Sequence, residues 1–218
     1  VVTNADELRH ADSAVEAWWW WAHAPDASVG LFVGLELRGR RFDYWAGLVR
    51  SGAPYLYVEE LDGTGLREGL DIKPPEMWAG HTCDVPFQQW SLGNEAHGVL
   101  LDDPFDAARN AYGTPAPVTF DVEWYAAGEP AGLALAPGAG GYEQVGTVDA
   151  RVELAEGVLA FEGPAHRVHV WGVPHRPAAL AMPMGDELLW APYRRRDGAV
   201  VVQVLTSKGW LARTVDAP

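Results

Sequence analysis

A single cysteine, Cys83, stands in 218 residues. This excludes an internal disulfide framework and a thiolate metal cluster, and a lone thiol fits a reducing compartment. No apolar stretch approaches the ~20 residues that a membrane-spanning helix needs. The first residues, Val1-Val2-Thr3-Asn4-Ala5-Asp6-Glu7, lack the basic region and apolar core of a signal peptide, so a cytoplasmic protein is expected. Positive charge is scarce: 16 basic against 30 acidic residues give a formal charge of −14, with lysine only at 73 and 208. No basic block exists beyond Arg194-Arg195-Arg196, and such a field repels phosphate backbones, which points away from nucleic acid. Apolar residues at helical spacing are also scarce. Short helices are expected only at 5–14 and at 102–109, where Asp102-Asp103-Pro104 supplies cap chemistry and a first-turn proline.

Tryptophan is what the chain has in excess, eleven residues, four of them consecutive at 18–21. Indoles are costly to leave in water, so most must line a core, a pocket or an interface. Ala17 to His23 reads as a strand lined on both faces. Two of its rings point each way; if one pair faces a barrel interior, the other meets a covering element or a partner. Ser28–Arg38, Phe42–Val49 and Ala53–Leu61 follow as strands, then Ser91–Leu101 after a mixed stretch from Leu70, then Val118–Ala126. Beyond the Gly/Pro/Ala-rich segment 128–141, the stretches 142–154, 157–163, 166–172, 178–182, 188–194, 199–205 and 210–215 read as a meander. Short strands with Gly and Pro every eight to twelve residues are an all-β signature. A single domain over 1–218 is expected, with N-terminal (12–127) and C-terminal (141–216) lobes on either side of that segment.

The stretch His166-Arg167-Val168-His169-Val170-Trp171-Gly172 carries the chemistry. Extended, it puts Arg167, His169 and Trp171 on one face and His166, Val168 and Val170 on the other. Such a trio suits a barrel that holds a small molecule. It equally suits an exposed sheet face with the valines packed inward, and alternation alone leaves both open.

The pattern Arg167-x-His169-x-Trp171-Gly172 resembles the signature strand of the lipocalin-like family of carotenoid 1,2-hydratases and AttH-type proteins. A nearer resemblance is to a group of actinobacterial proteins related to that family. Supporting stretches, in order, are Met77-Trp78-Ala79-Gly80-His81-Thr82-Cys83-Asp84-Val85-Pro86, Gln89-Trp90-Ser91-Leu92-Gly93-Asn94-Glu95-Ala96, Asp102-Asp103-Pro104, Phe120-Asp121-Val122-Glu123-Trp124 and Gly141-Tyr142-Glu143-Gln144. The resemblance implies an antiparallel lipocalin-like (calycin-type) barrel or two packed half-barrels, with one or two short helices. Two departures stand out. Val168 and Val170 occupy positions where the family strand carries an acid or amide, and longer members hold two barrels.

The residues support hydration, cyclisation or isomerisation of an apolar substrate, which needs an acid or base, aromatic faces and walls that exclude water. His169 is the candidate acid–base group and Arg167 the clamp for a carboxylate or carbonyl. Asp121 and Glu123 could supply the missing acid, although pairs two apart on strands more often face solvent. Trp171, Trp19, Trp21, Trp124, Tyr142, Glu95 and His97 are the candidate binding residues. The expected function is therefore a cofactor-independent hydratase, cyclase or isomerase in secondary metabolism, acting on a terpenoid, polyene or polyketide-like molecule. The alternative is a non-catalytic carrier of a hydrophobic metabolite; a third reading makes the Trp run a homodimer interface. No metal is expected: His81, His97, His166, His169 and His175 show no ligand spacing, and His166 and His169 point to opposite faces; a pairing of His169 with His97 or His81 from another strand is the one arrangement that stays open. Gly138–Gly141 lacks the strand–helix context of a nucleotide loop.

Overall fold

The computed structural model describes residues 2–173 and 187–215. Among the described residues thirteen strands appear in chain order, all paired antiparallel: β1 (Glu16–His23), β2 (Val29–Arg38), β3 (Arg41–Arg50), β4 (Tyr55–Gly63), β5 (Met77–Val85), β6 (Gln89–Leu101), β7 (Thr114–Ala126), β8 (Ala131–Gly132), β9 (Gly140–Leu154), β10 (Gly157–Trp171), β11 (Glu187–Arg194), β12 (Val200–Thr206) and β13 (Gly209–Val215). The pairing order β10-β1-β2-β3-β4-β6-β7-β9 closes on itself through β9–β10. Eight strands therefore form a ring with no free edge between them, a lipocalin-like barrel. β4 meets β6 only over Tyr55–Tyr57, and β5 takes up the other end of β6. Strands from both sides of the 128–141 segment share this one ring.

Alternation divides each strand between two cores. One fills the barrel and draws on every ring strand, with Trp18, Trp20, Leu35, Tyr44, Val58, Trp90, Phe120, Trp124, Val152 and Phe161 among its members. The second lies outside, where β11–β13 form a separate sheet that covers part of the barrel wall. There Trp19, Trp21, Phe32 and Trp45 pack with Ala191, Tyr193, Val201 and Leu205. The four consecutive tryptophans are thus buried on both faces, two inside the barrel and two beneath the chain's own second sheet. Glycine makes room for them. Gly34 sits opposite Trp19, and a Cβ there would lie 2.5 Å from the indole ring. Indole bonds tie the sheets together, from Trp21 Nε1 to Gln203 Oε1 (2.6 Å) and from Trp45 Nε1 to the Arg194 carbonyl (2.9 Å).

Four local expectations change. Residues 5–14 give only a 3-10 turn at Asn4–Glu7, because the segment has no apolar stripe to bury as a helix. The expected helix at 102–109 is likewise a 3-10 turn, Pro104–Ala108, capped by Asp103. The strands expected at 157–163 and 166–172 are one strand running through Pro164, tolerated because pairing with β1 ends at Ala165. Strand β5 was not expected; its Gly, Asp and His content is weakly strand-like, and pairing with β6 creates it. The strand expected at 178–182 lies outside the described residues.

Candidate functional site at the polar end of the barrel

Antiparallel register settles which way the signature strand faces. Trp171 lies opposite Glu16, His169 opposite Trp18, and Arg167 opposite Trp20, so these six side chains share the interior face. Val168 and Val170 join the outer core instead. Arg167 and His169 are both buried.

Arg167 is fully engaged by other parts of the chain. Its guanidinium donates from Nη1 to Glu7 Oε2 (3.0 Å) and from Nη2 to Glu7 Oε1 (2.7 Å). It also donates to Gln144 Oε1 (2.6 and 3.2 Å) and to the Tyr142 oxygen (3.1 Å). The ring of Trp124 lies 4.7 Å from its Cζ and that of Tyr142 lies 5.1 Å away. Glu7 is equally saturated, accepting from the Phe87 amide (2.7 Å), Trp90 Nε1 (3.1 Å) and the Tyr142 hydroxyl. Burial pushes the Glu7 carboxyl up, yet the Arg167 hydrogen bonds and charge outweigh it and hold the group below the usual carboxylate range. Burial also raises the Tyr142 phenol well above its ordinary value.

His169 is engaged on one nitrogen. Its Nε2 lies 2.8 Å from Glu16 Oε1; opposite a carboxylate, Nε2 is the nitrogen that carries the proton. Nδ1 is buried and has no hydrogen-bond partner among the described residues. The ring stacks on Trp18 (centroids 4.5 Å apart, 18° between planes), with Tyr142 edge-on at 5.5 Å and Trp171 at 5.2 Å. Burial lowers the imidazole's proton affinity below the ordinary histidine value, and the Glu16 carboxylate only partly offsets this. Glu16 also accepts from the backbone amide of His10 (2.9 Å) and faces His10 Nδ1 at 2.8 Å. His10 stacks on Trp171, with centroids 4.0 Å apart. The groups that could hold a metal ion here are His10, Glu16 and His169.

Of the candidates read from sequence, the barrel end brings together Arg167, His169, Trp171, Trp124 and Tyr142. Asp121 and Glu123 are not there. Phe120, Val122 and Trp124 take the inner face of β7, so the two acids project outward, Asp121 into solvent and Glu123 onto Gln89 and Ser91. Glu95 and His97 are exposed on the outer face of β6, in a cleft of about 400 Å³ with Lys73 and Trp78. Trp19 and Trp21 belong to the outer core; Trp21 also lines a cleft of about 380 Å³ with His166, Lys208 and Trp210. The residues that sequence reasoning missed are Glu7, His10, Glu16 and Gln144. For Glu16 the signal existed: Glu16-x-Trp18-x-Trp20 places a carboxylate on one face of the Trp strand. Glu7 carried none, because its role arises from a contact with Arg167 160 residues away.

The chain belongs to the family described as a domain of unknown function (DUF7064), whose model matches residues 3–184. Among curated proteins there is no match. Among solved structures, the chain is similar to an AttH-assigned protein from Nitrosomonas europaea, with TM-score 0.50 and 12% identity, over 97% of this chain and 71% of that one. It is also similar to CghA, with TM-score 0.41 and 16% identity, over 93% of this chain and 56% of that one. A structure of CghA with Sch210972 matches at TM-score 0.38 and 18% identity, over the same shares. The first likeness shows the fold, consistent with the closed ring. No helix among the described residues is long and apolar enough to cross a membrane.

Proposed function

We propose that this protein is an enzyme for a hydrophobic small molecule, a hydratase, cyclase or isomerase that works by proton transfer at His169 without an organic cofactor. One observation carries the reading: a buried imidazole whose Nε2–H is held by a carboxylate while Nδ1 has no hydrogen-bond partner among the described residues, set among Trp18, Tyr142 and Trp171. A carboxylate that fixes the tautomer leaves the other nitrogen as a lone pair aimed at chemistry. Nδ1 takes a proton from the substrate, Glu16 stabilises the imidazolium that forms, and the same nitrogen returns the proton at a second carbon or to a leaving oxygen. The aromatic faces of Trp18 and Trp171 stabilise the positive charge that develops on the imidazolium. Burial favours the neutral ring, so His169 begins the cycle as a base.

A terpenoid, polyene or polyketide-like substrate from secondary metabolism fits walls of indole and phenol. Actinobacterial kinship, a cytoplasmic location and a homodimer accompany this reading as parts of the proposal. The test is a titration of intrinsic tryptophan fluorescence with a panel of such molecules, followed by mass analysis of the recovered ligand. Recovery of altered ligand, with conversion lost in His169→Ala, supports the enzyme. Recovery of unaltered ligand supports a carrier. The carrier has one observation of its own: Arg167 is spent on Glu7 and Gln144 and Asp121 and Glu123 face outward, which leaves His169 without a second acid.

A further inference from the structure

We infer that His10, Glu16 and His169 form a binding site for a divalent transition-metal ion. One nitrogen from each imidazole and one carboxylate oxygen lie within 4.8 Å of one another. His10 Nδ1 and His169 Nε2 each stand 2.8 Å from Glu16 Oε1. Around a tetrahedral zinc ion with bonds of ~2.0–2.1 Å, neighbouring donor atoms sit about 3.3 Å apart. Each imidazole therefore needs to part from Glu16 by only about half an ångström to admit an ion. Two imidazoles and one carboxylate are a donor set for zinc and its first-row neighbours rather than for calcium or magnesium.

The surroundings of His10 give a second, independent reason. Its Nε2 faces Asp6 Oδ1 at 3.5 Å while its Nδ1 faces Glu16, so both ring nitrogens meet carboxylates. A neutral imidazole has one N–H and leaves a lone pair against one of them. A second ring proton or an ion on Nδ1 resolves this; with the ion, Nε2–H points at Asp6, the carboxylate–histidine–metal arrangement that orients metal-bound imidazoles. Asp6 is itself fixed, accepting from the Thr3 amide (2.6 Å) and the Thr3 hydroxyl (2.8 Å). Glu16 and His169 are buried while His10 is partly exposed, so an ion enters past His10. The site shares His169 with the function proposed above. An ion on Nε2 displaces the proton that Glu16 holds there, so the ion-loaded and proton-transferring chains are alternative states.

The experiment is titration of the full chain with Zn²⁺ by calorimetry and with Co²⁺ by visible absorption, with no organic ligand present. One ion per chain and the intense d–d bands of four-coordinate cobalt are expected. His10→Ala, at a partly exposed position, should weaken Zn²⁺ at least about tenfold, and Asp6→Asn should weaken it less while leaving the cobalt bands in place. His166→Ala, which alters the separate His166–Glu143 pair, should change nothing. Absence of Zn²⁺ binding at millimolar ion, or binding indifferent to His10→Ala and Glu16→Gln, overturns the site. Because no substrate is used, such a failure leaves the proposed reaction standing. Failure of the ligand panel, in turn, leaves the metal site standing.

Discussion

Arg167 and Glu7 form a two-pronged ion pair, at 3.0 and 2.7 Å, with both side chains almost wholly buried. The 3-10 turn at Asn4–Glu7 thereby pins the N-terminal segment to the strand that closes the barrel. Glu7→Ala should destabilise the fold by about 3–5 kcal/mol, because it leaves a guanidinium buried without its carboxylate. The double variant Glu7→Gln/Arg167→Met should lose less than either single change, since no charge then stays unpaired. Urea unfolding of the native protein, Glu7→Gln, Arg167→Met and the double variant checks this. Equal losses in the single and double variants would count against it.

His81 is buried inside the barrel and stacked on Trp20, with its Nδ1 3.1 Å from the Leu70 carbonyl. Burial pushes its pKa down to about 4 from 6.5. A histidine whose folded value is depressed is neutral in both states above 6.5 and costs nothing there. As pH falls from 6.5 through about 4, the unfolded chain takes the proton more readily and stability drains away, by up to about 3 kcal/mol. Unfolding free energies measured across that window should show the decline, and His81→Phe should flatten part of it.

Glu7 acts in a lower window. Its folded value lies below the ordinary 4.5, so its contribution is complete above 4.5 and is lost as pH falls through the folded value. Glu7→Gln should remove that acid limb while leaving the slope between 6.5 and 4 intact. Stability profiles of the two proteins below pH 4.5 make the comparison.

Trp19 is fully buried between the barrel wall and the second sheet, in contact with Trp45 and Tyr193. Trp19→Ala should cost about 3–5 kcal/mol through the cavity it leaves. If the chain's own sheet is what covers this face, Trp19→Ala should leave the dependence of the unfolding midpoint on protein concentration as it is in the native protein. A concentration dependence present in the native protein and lost in Trp19→Ala would return the tryptophan run to a role between copies.

Asp121 faces solvent on β7. Asp121→Asn should change stability by no more than about 0.5 kcal/mol and leave conversion of any substrate unaltered. Loss of conversion in this variant would draw the outer face of β7 into the chemistry.

Much was legible in the residues themselves. The spacing of Gly and Pro and the period of two mark an all-β chain, and the Trp18–Trp21 run announces a strand buried on both faces. The trio of Arg167, His169 and Trp171 is placed on one face by alternation alone. What alternation cannot say is which face is inside, since a strand's two sides are equivalent until a neighbour is specified. Register with β1 decides it, setting His169 against Trp18 and Arg167 against Trp20. It also exchanges the expected wall tryptophans, Trp19 and Trp21, for Trp18 and Trp20. The pairing of the acids that complete the site was illegible for a related reason: Glu7 and Glu16 become partners of Arg167 and His169 only when segments 160 and 153 residues apart come together. The sequence by itself determined most of the strands and which side chains share a face of each. Only the tertiary structure decided the inside of the barrel and the carboxylates within it, because those contacts are made through space between distant segments.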